Sequence, residues 1–230
     1  MSDFHRLTTN TLDYFVGGVT LLRYLGNDLS VVNAARVSFN KESEQFNKKD
    51  QSLLKFLLKH NHWTPFSHPQ LQLRIKMPIF IARQWFKSTV GLTRNEVSRR
   101  YVKSPPEFYI PKEFREAADN VKQGSSDNIS DHSEWFHNEF KELCEKAASI
   151  YDGAIMSGIC NEQARAILPQ NMYTEFWETG SLAAYLRIVG LRAQKDAQLE
   201  IQYYAKAIED ILQLRFPKTL EAFKELQSES

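Results

Sequence analysis

The sequence predicts one α+β domain, with a few strands in its N-terminal half and a mostly helical C-terminal half. Residues 70–76 (QLQLRIK) alternate between apolar and polar side chains, which is typical of a strand with one face in water. Residues 48–60 instead repeat apolar side chains with the period of an α-helix. From Ser133 onward the pattern is mostly helical. Because the 230 residues contain no internal repeat and no marked shift in composition, we expect one domain over residues 1–230.

The N-terminal elements begin with a strand and a helix. Residues 19–25 (VTLLRYL) predict a short strand, and the turn signal at residues 26–28 ends it. A helix over residues 31–37 follows, and Asp28 or Ser30 is suited to cap it.

A loop, a strand and a helix lead to the middle of the chain. Residues 62–69 (HWTPFSHP) contain two prolines and two histidines and predict a loop. The strand at 70–76 ends before Pro78. Residues 79–86 then predict a helix that brings Gln84 towards the basic residues from Lys87 onward.

The rest of the chain is expected to be helical between irregular segments. Residues 104–106 (SPP) interrupt regular structure, residues 107–111 (EFYIP) predict a short extended piece, and residues 118–132 predict a polar surface loop. Gly158 and Gly190 mark breaks between helices. The predicted helices cover residues 133–157, 161–167, 179–189, 193–214 and 219–226.

Composition and charge exclude several classes of protein. The chain is 42% hydrophobic and 25% charged, with a formal net charge of +1, so we expect no nucleic-acid and no membrane partner. No charged leader followed by an apolar run opens the sequence, which favours a cytoplasmic protein. Cys144 and Cys160 lack metal-ligand spacing, so we expect no metal and two reduced, buried thiols. A cysteine nucleophile is the alternative.

Residues 83–103 (RQWFKSTVGLTRNEVSRRYVK) concentrate positive charge on a nearly neutral chain. The stretch holds six basic residues against one acid, a local net charge of +5. Serine, threonine and asparagine side chains lie between the charges, and Gly91 permits close approach of the backbone. Arginine forks, hydroxyls and an accessible backbone are what a phosphate or nucleotide site requires. A solvated basic helix face is the alternative.

Four blocks of the sequence follow one another in the order found in a known enzyme family. In chain order they are residues 33–39 (NAARVSF), residues 79–103 with 107–111 and the preceding HWTPFSH, residues 164–169 (ARAILP) with Tyr173-Thr174, and residues 191–204 (LRAQKDAQLEIQYY). Through these blocks the chain resembles the flavin-dependent thymidylate synthase family over nearly its whole length. Any single block alone would be a weak signal.

The resemblance implies an enzyme that converts dUMP to dTMP. Methylene-tetrahydrofolate then supplies the carbon, and FAD reduced by NADPH supplies the hydride. It also implies an α/β fold with a central mixed or antiparallel sheet flanked by helices, and a homotetramer whose active sites are shared between subunits. The family uses no cysteine nucleophile, which agrees with the surroundings of Cys144 and Cys160 in the sequence.

The same resemblance implies a set of residues that bind dUMP. Ser98 and Arg100 suit a dianionic phosphate, and Glu96 offers an acceptor to a uracil or ribose edge. Arg192 reaches the pyrimidine ring, where a guanidinium stabilises the negative charge that builds as C5 becomes nucleophilic. A surface ion pair between Glu96 and Arg100 is the alternative. The implied substrate-binding residues are Gln84, Glu96, Ser98, Arg100, Arg165 and Arg192, with Arg192 and Ser98 as the catalytic residues.

The cofactor half departs from the family pattern. The family signature begins Arg-His-Arg, where this chain has Lys87-Ser88-Thr89 and one additional residue before Asn95, and lysine does not replace a bidentate arginine. We consider Arg94 a candidate to restore the lost charge. Positions of flavin-contacting residues in the family hold Ser181, Ala183, Arg187 and Asp196. The implied FAD and folate residues are His62, Thr64, Lys87, Ser88, Thr89, Asn95 and Arg187.

Three functions are compatible with a preserved nucleotide half and an altered cofactor half. The first is a divergent flavin-dependent thymidylate synthase, which the whole pattern favours. The second is a related one-carbon transfer, which hydroxymethylates the pyrimidine or accepts dCMP. The third, from another class, is a nucleotide-binding protein without catalytic activity that has lost the flavin.

Overall fold

An antiparallel sheet carries the functional residues in the computed structural model, which describes residues 7–10, 17–118 and 125–229. Its strands are β1 (Leu7–Asn10), β2 (Gly18–Leu25), β3 (Gln70–Pro78), β4 (Leu92–Glu96) and β5 (Tyr173–Ser181). They lie in the order β1-β2-β3-β5-β4, and each neighbouring pair is antiparallel. The last strand in the chain, β5, is therefore inserted between β3 and β4.

Helices lie between the strands in the chain and after the last strand. They are α1 (Asp28–Arg36), α2 (Lys48–Lys59), α3 (Thr64–Ser67), α4 (Ile79–Trp85), α5 (Ser133–Met156), α6 (Asn161–Ala164), α7 (Leu182–Arg192), α8 (Leu199–Arg215) and α9 (Pro217–Ser228). Short 3₁₀ turns follow α1 at Val37–Phe39 and α6 at Arg165–Ile167.

The sheet has one apolar face, which forms the main hydrophobic core. Along β3 the side chains of Leu71, Leu73 and Ile75 are fully buried, whereas the side chains between them are partly exposed. They belong to the same core as Ile208 of α8. The alternation predicted for residues 70–76 is confirmed, and it leaves the other face of the strand polar.

The α+β class and most of the predicted elements are confirmed. The helices predicted at 48–60 and 79–86 are α2 and α4, and each ends one residue earlier than predicted. The helix α1 begins earlier than predicted, because Asn27 rather than Asp28 or Ser30 is its N-cap. The Asn27 side chain accepts a hydrogen bond from the backbone of Ser30 at 3.0 Å, which satisfies one of the free N–H groups of the first turn.

The helix predicted at 179–189 is wrong at its start, because its first residues belong to the strand β5. Glu178 interrupts the apolar alternation of that strand, yet its side chain is 0% exposed. It is tolerated there because Arg94 of β4 forms an ion pair with it. The break predicted at Gly190 is also wrong. A Cβ at Gly190 would lie 2.6 Å from Gln227 Nε2, so the glycine lets α7 pack closely against α9.

The two cysteines differ in their surroundings. Cys144 is buried, as predicted, and lies 3.1 Å from Asn171 Nδ2. Burial raises the pKa of the Cys144 thiol, which disfavours the thiolate that a nucleophile requires. Cys160 is exposed, so the prediction that it is buried is wrong. It directly precedes α6, at the surface turn that follows α5.

Two further properties concern membranes and metals. No helix within the described residues combines the length and the apolar character that crossing a bilayer requires. Within the same ranges, no group of three or more His, Cys, Asp or Glu side chains is placed to hold a metal ion.

Candidate functional site

A cleft of about 590 Å³ lies where β4 ends and the chain passes the start of β5. Glu96 is the last residue of β4, and Ser98 and Arg100 follow it in the next turn. Arg165 lines the same cleft from the 3₁₀ turn after α6. Four of the six residues predicted to bind the nucleotide are therefore brought together in what we call the first cleft.

Two adjacent arginines in this turn have different partners. Arg99 donates hydrogen bonds to the backbone oxygens of Ser104 and Pro105, and so fixes the loop that forms the rim of the cleft. Arg100 donates through Nε to Ser98 Oγ at 3.2 Å. This contact uses one of the five N–H donors of the Arg100 guanidinium, so the remaining donors are available to a ligand.

Both basic and acidic residues line the first cleft, and the acids are Glu96, Glu107 and Glu175. Within the described residues neither Arg100 nor Arg165 forms an ion pair. The alternative of a pair between Glu96 and Arg100 is wrong, since the described residues show no such ion pair; Glu96 Oε1 instead accepts a hydrogen bond from Thr174 Oγ1 at 2.6 Å. Two guanidinium groups without an ion-pair partner, together with the hydroxyl of Ser98, suit a phosphate.

A second cleft, of about 600 Å³, contains the other two predicted nucleotide residues, Gln84 and Arg192. Gln84 lies near the end of α4, and Arg192 is the last residue of α7. Gln84 Oε1 and Arg192 Nε are buried, and neither has a hydrogen-bond partner among the residues that the structure describes. Buried polar atoms are normally paired, so a ligand in this cleft would supply the missing partners.

One wall of the second cleft is fixed by a buried carboxylate. Glu200 accepts a hydrogen bond from Arg115 Nη2 at 2.8 Å and another from Gln198 Nε2 at 3.0 Å. Arg115 and Gln198 both line the cleft. The Arg115 charge is thereby neutralised, whereas Arg192 forms no ion pair with any of the described residues.

A third, smaller cleft of about 210 Å³ lies between α7 and the turn that joins α4 to β4. Lys87, Ser88 and Thr89 line it from the turn, and Arg187 lines it from α7. Lys87 and Arg187 are exposed, and in the described ranges neither forms an ion pair. Arg192 lines this cleft as well as the second one. It therefore lies at the boundary between the predicted nucleotide residues and the predicted cofactor residues.

Arg94 does not stand in for the charges that the turn lacks, because a buried acid binds it. Its Nε forms an ion pair with Glu178, and Trp85 Nε1 donates to the same carboxylate at 3.2 Å. Burial raises the pKa of Glu178 above its ordinary value, while the Arg94 charge, the hydrogen bonds from Arg94 and Trp85, and the Tyr185 hydroxyl act in the opposite direction. This network joins α4, β4 and β5 next to the turn that carries Lys87.

Three predicted cofactor residues lie outside the three clefts. His62 is exposed between α2 and α3, with its ring 6.3 Å from the ring of His60, and Thr64 is exposed at the first position of α3. Asn95 precedes Glu96 on β4, and successive side chains of a strand point to opposite faces. A single chain therefore does not gather the whole predicted set in one cleft.

Sequence reasoning misses two residues next to these clefts, and both belong to β5. Thr174 lies in the block Tyr173-Thr174 that resembles the enzyme family, and this was its only signal in the sequence. Glu178 has no local signal, because its partner Arg94 is 84 residues away in the chain. Their roles follow from the pairing of β5 with β4, which the sequence does not predict.

Comparison with known proteins gives consistent matches over most of the chain. The family model described as thymidylate synthase complementing protein matches residues 20–218, which include every residue that lines the three clefts. A flavin-dependent thymidylate synthase of Thermotoga neapolitana is 39% identical over 208 residues, which cover 90% of each chain. Another, of Thermus thermophilus, is 36% identical over 219 residues, which cover 95% of this chain and 79% of that relative.

Solved structures with the same fold include the UMP/dUMP methylase PolB from Streptomyces cacaoi. Its structure bound with 5-Br dUMP superposes with a TM-score of 0.81 at 28% sequence identity, over 90% of this chain and 94% of that chain. Its structure bound with 5-Br UMP gives a TM-score of 0.78 at 26% identity, over 89% and 92% of the two chains. The similarity thus extends over both the helices and the sheet that form the clefts.

Proposed function

The chain belongs to the flavin-dependent thymidylate synthase family, and from this premise we propose that it methylates dUMP to dTMP with the residues of the three clefts. Methylene-tetrahydrofolate supplies the carbon and FAD reduced by NADPH supplies the hydride, as is standard for the family. The observation that carries the assignment of residues is the position of Arg192, which lines both the second and the third cleft.

The phosphate of dUMP is assigned to the first cleft. Arg100 and Arg165 offer guanidinium groups without ion-pair partners in the described chain, and Ser98 adds a hydroxyl. Charge-assisted hydrogen bonds of this kind are among the strongest that a protein makes to a dianion. Glu96 at the same cleft repels a phosphate and instead accepts hydrogen bonds from the sugar or the base.

Arg192 is assigned to the pyrimidine ring. Carbon transfer requires C5 of the ring to become nucleophilic, and negative charge then builds on the ring oxygen and N3. A guanidinium that is already in place stabilises this charge without the reorganisation that water would need. The buried Nε of Arg192 and the buried Oε1 of Gln84 supply an unpaired donor and an unpaired acceptor for the ring edge.

The charges and hydroxyls of the third cleft suit the diphosphate of FAD. Lys87 and Arg187 would hold a diphosphate from opposite sides, with Ser88 and Thr89 as additional donors. FAD, when bound, supplies the hydride that converts the transferred carbon into a methyl group. The contribution of the chain is to orient that cofactor next to Arg192, which the two clefts share.

We further propose a homotetramer whose active sites are completed between subunits. One chain divides the predicted nucleotide residues between two clefts, with Ser98 and Arg100 in one and Arg192 in another. An exposed apolar row on α5 supports association, because Leu143 and Ile150 are 55% and 48% exposed at a spacing of seven residues. The family match across residues 20–218 supports one catalytic domain. The free thiols support a location in the reducing cytoplasm.

We expect the purified protein, incubated with FAD and desalted, to retain a visible flavin band. The band should bleach with NADPH and recover when dUMP and methylene-tetrahydrofolate are added, and the product should have the mass of dTMP. Lys87→Ala combined with Arg187→Ala should abolish retention, since both cations of the third cleft are then lost. The matched control is Lys141→Ala, which removes an exposed charge on α5 away from the clefts.

Other outcomes of this experiment identify the alternatives. A product heavier than dTMP by one oxygen would indicate hydroxymethylation. Binding of dUMP without any retained flavin would indicate a nucleotide-binding protein, and the assignment of FAD to the third cleft would then be wrong.

We expect Arg100→Ala to weaken binding of dUMP by about tenfold to one hundredfold, because a hydrogen bond to a charged group contributes about 1.5–3 kcal/mol. Isothermal titration measures the dissociation constant. Deoxyuridine, which lacks the phosphate, is the matched ligand, and its affinity should not change. Equal losses for dUMP and deoxyuridine would show that Arg100 maintains the loop and does not bind the phosphate.

A further inference from the structure

Thr174 is a buried residue of the first cleft to which the proposed function gives no role. Its side chain is 4% exposed, and it lines the cleft from the second position of β5. The hydroxyl donates to Glu96 Oε1 at 2.6 Å, a short hydrogen bond of the kind made to a carboxylate. Among the described residues, no other hydrogen bond reaches the Glu96 carboxylate.

The two partners in this bond differ in how firmly the fold holds them. Thr174 pairs with Met77 of β3 in the sheet, and its buried, β-branched side chain has few rotamers. Glu96 is exposed at the end of the edge strand β4, and its long side chain has several rotamers to choose from. The hydrogen bond to the rigid Thr174 side chain therefore restrains the flexible side chain of Glu96, and it leaves Glu96 Oε2 as a free acceptor.

The position of Glu96 along the chain limits what Oε2 can bind. Glu96 lies two residues before Ser98, so their Cα atoms are at most about 7 Å apart. A carboxylate so close to the phosphate site is within reach of the sugar and repels the phosphate itself. In dUMP the sugar offers one hydroxyl donor, at the 3′ position, and a fixed carboxylate oxygen is a suitable acceptor for it.

We propose that Thr174 is a positioning residue, which orients Glu96 so that its second oxygen accepts the 3′-hydroxyl of the nucleotide. The inference rests on the proposed assignment of the first cleft to dUMP. Thr174 itself does not need to touch the substrate for this role. It makes the enzyme selective for nucleotides that carry the 3′-hydroxyl, through an acceptor that is already ordered before binding.

The test compares dUMP with 2′,3′-dideoxyuridine monophosphate, which lacks only the 3′-hydroxyl. Isothermal titration gives both dissociation constants. The wild-type protein should prefer dUMP by about tenfold to one hundredfold, the range for a hydrogen bond to a charged group. Thr174→Val should lose most of this preference by weakening dUMP alone, and Thr174→Ser, which keeps the hydroxyl, should restore it.

Thr179→Val is the matched control on the same strand. Thr179 Oγ1 accepts a hydrogen bond from Gln72 at 3.3 Å, and the residue lines none of the three clefts. The preference for dUMP should be unchanged in this variant, and the thermal unfolding midpoints of both valine variants identify any general loss of structure.

Two results would overturn the inference while the proposed function stands. One is an unchanged preference in Thr174→Val. The other is an equal loss of affinity for both nucleotides in that variant, which would indicate a structural role only. If the wild-type protein failed to bind dUMP, the assignment of the first cleft would be wrong, and this inference with it.

Discussion

Arg192→Ala is expected to lower kcat for dTMP formation by about 10²–10³-fold, the usual loss when one preorganised electrostatic group is removed. The charge that builds on the pyrimidine ring then lacks its cation, since Arg192 has no substitute among the residues that line the second cleft: Arg115 is already bound to Glu200. Release of tritium from C5-labelled dUMP and the rate of dTMP formation measure the effect.

The affinity for dUMP should change much less than kcat in this variant, because we assign the phosphate to the first cleft, which Arg192 does not line. Arg192→Lys is the matched variant. It keeps the charge but not the planar fork, so we expect a kcat between those of the wild-type and Arg192→Ala proteins. Unchanged turnover in Arg192→Ala would show that another group activates the ring.

Arg192→Ala, combined with Arg100→Ala, also tests whether subunits share the active site. Arg100→Ala removes a proposed ligand contact from the first cleft of its own chain, and Arg192→Ala removes one from the second cleft of its own chain. If the first cleft of one subunit works with the second cleft of another, co-expression of the two variants restores intact sites. In a symmetric assembly with random mixing, about a quarter of the sites recover. No recovery would place both clefts of one site on one chain, contrary to the proposed arrangement.

The sequence predicts those parts of the fold whose pattern is local. The alternation of Leu71, Leu73 and Ile75 is sufficient for β3, because each residue is buried against the same core. The strand β5 escapes this reasoning, since Glu178 interrupts its alternation and is buried only through a partner 84 residues away. A buried charge gives no signal in the sequence until its counter-ion is placed in space.

The candidate site likewise contains some residues that the sequence places together and others that only the fold brings together. Glu96, Ser98 and Arg100 lie within five consecutive residues, so the sequence alone places them together, and the structure puts them in one cleft. Thr174 joins them through the register of the sheet, which the sequence does not specify. Arg192 was predicted from resemblance alone. Its place between two clefts depends on where α7 ends relative to the turn after α4.

Arg94→Met is expected to destabilise the folded protein by about 3–5 kcal/mol, the usual cost of leaving one buried charge without its partner. Glu178 then remains fully buried, with the indole N–H of Trp85 as a hydrogen-bond donor but without a counter-ion. Urea unfolding at neutral pH measures the loss. Arg94→Met combined with Glu178→Leu removes both charges and should recover most of the stability. Equal destabilisation of the single and double variants would show that the defect is in packing.

The dependence on pH separates this electrostatic cost from a packing defect. Burial already raises the pKa of Glu178, and loss of the Arg94 guanidinium, which opposes that shift, raises it further. A carboxyl whose folded-state pKa is raised gives stability that is present at low pH and is lost as pH rises through that pKa. Arg94→Met should therefore be closest to wild-type stability below the ordinary glutamate pKa of 4.5, and it should lose stability as the pH rises above that value.

The position of the Arg94–Glu178 ion pair next to the turn at Lys87 indicates its role. Trp85, which donates to Glu178, is two residues before Lys87, so the network supports the turn that carries the cations of the third cleft. Under conditions where Arg94→Met remains folded, we expect weaker retention of FAD but unchanged binding of dUMP. We therefore infer that the buried ion pair next to the turn orders the proposed cofactor site, to which Lys87 and Arg187 would contribute positive charge.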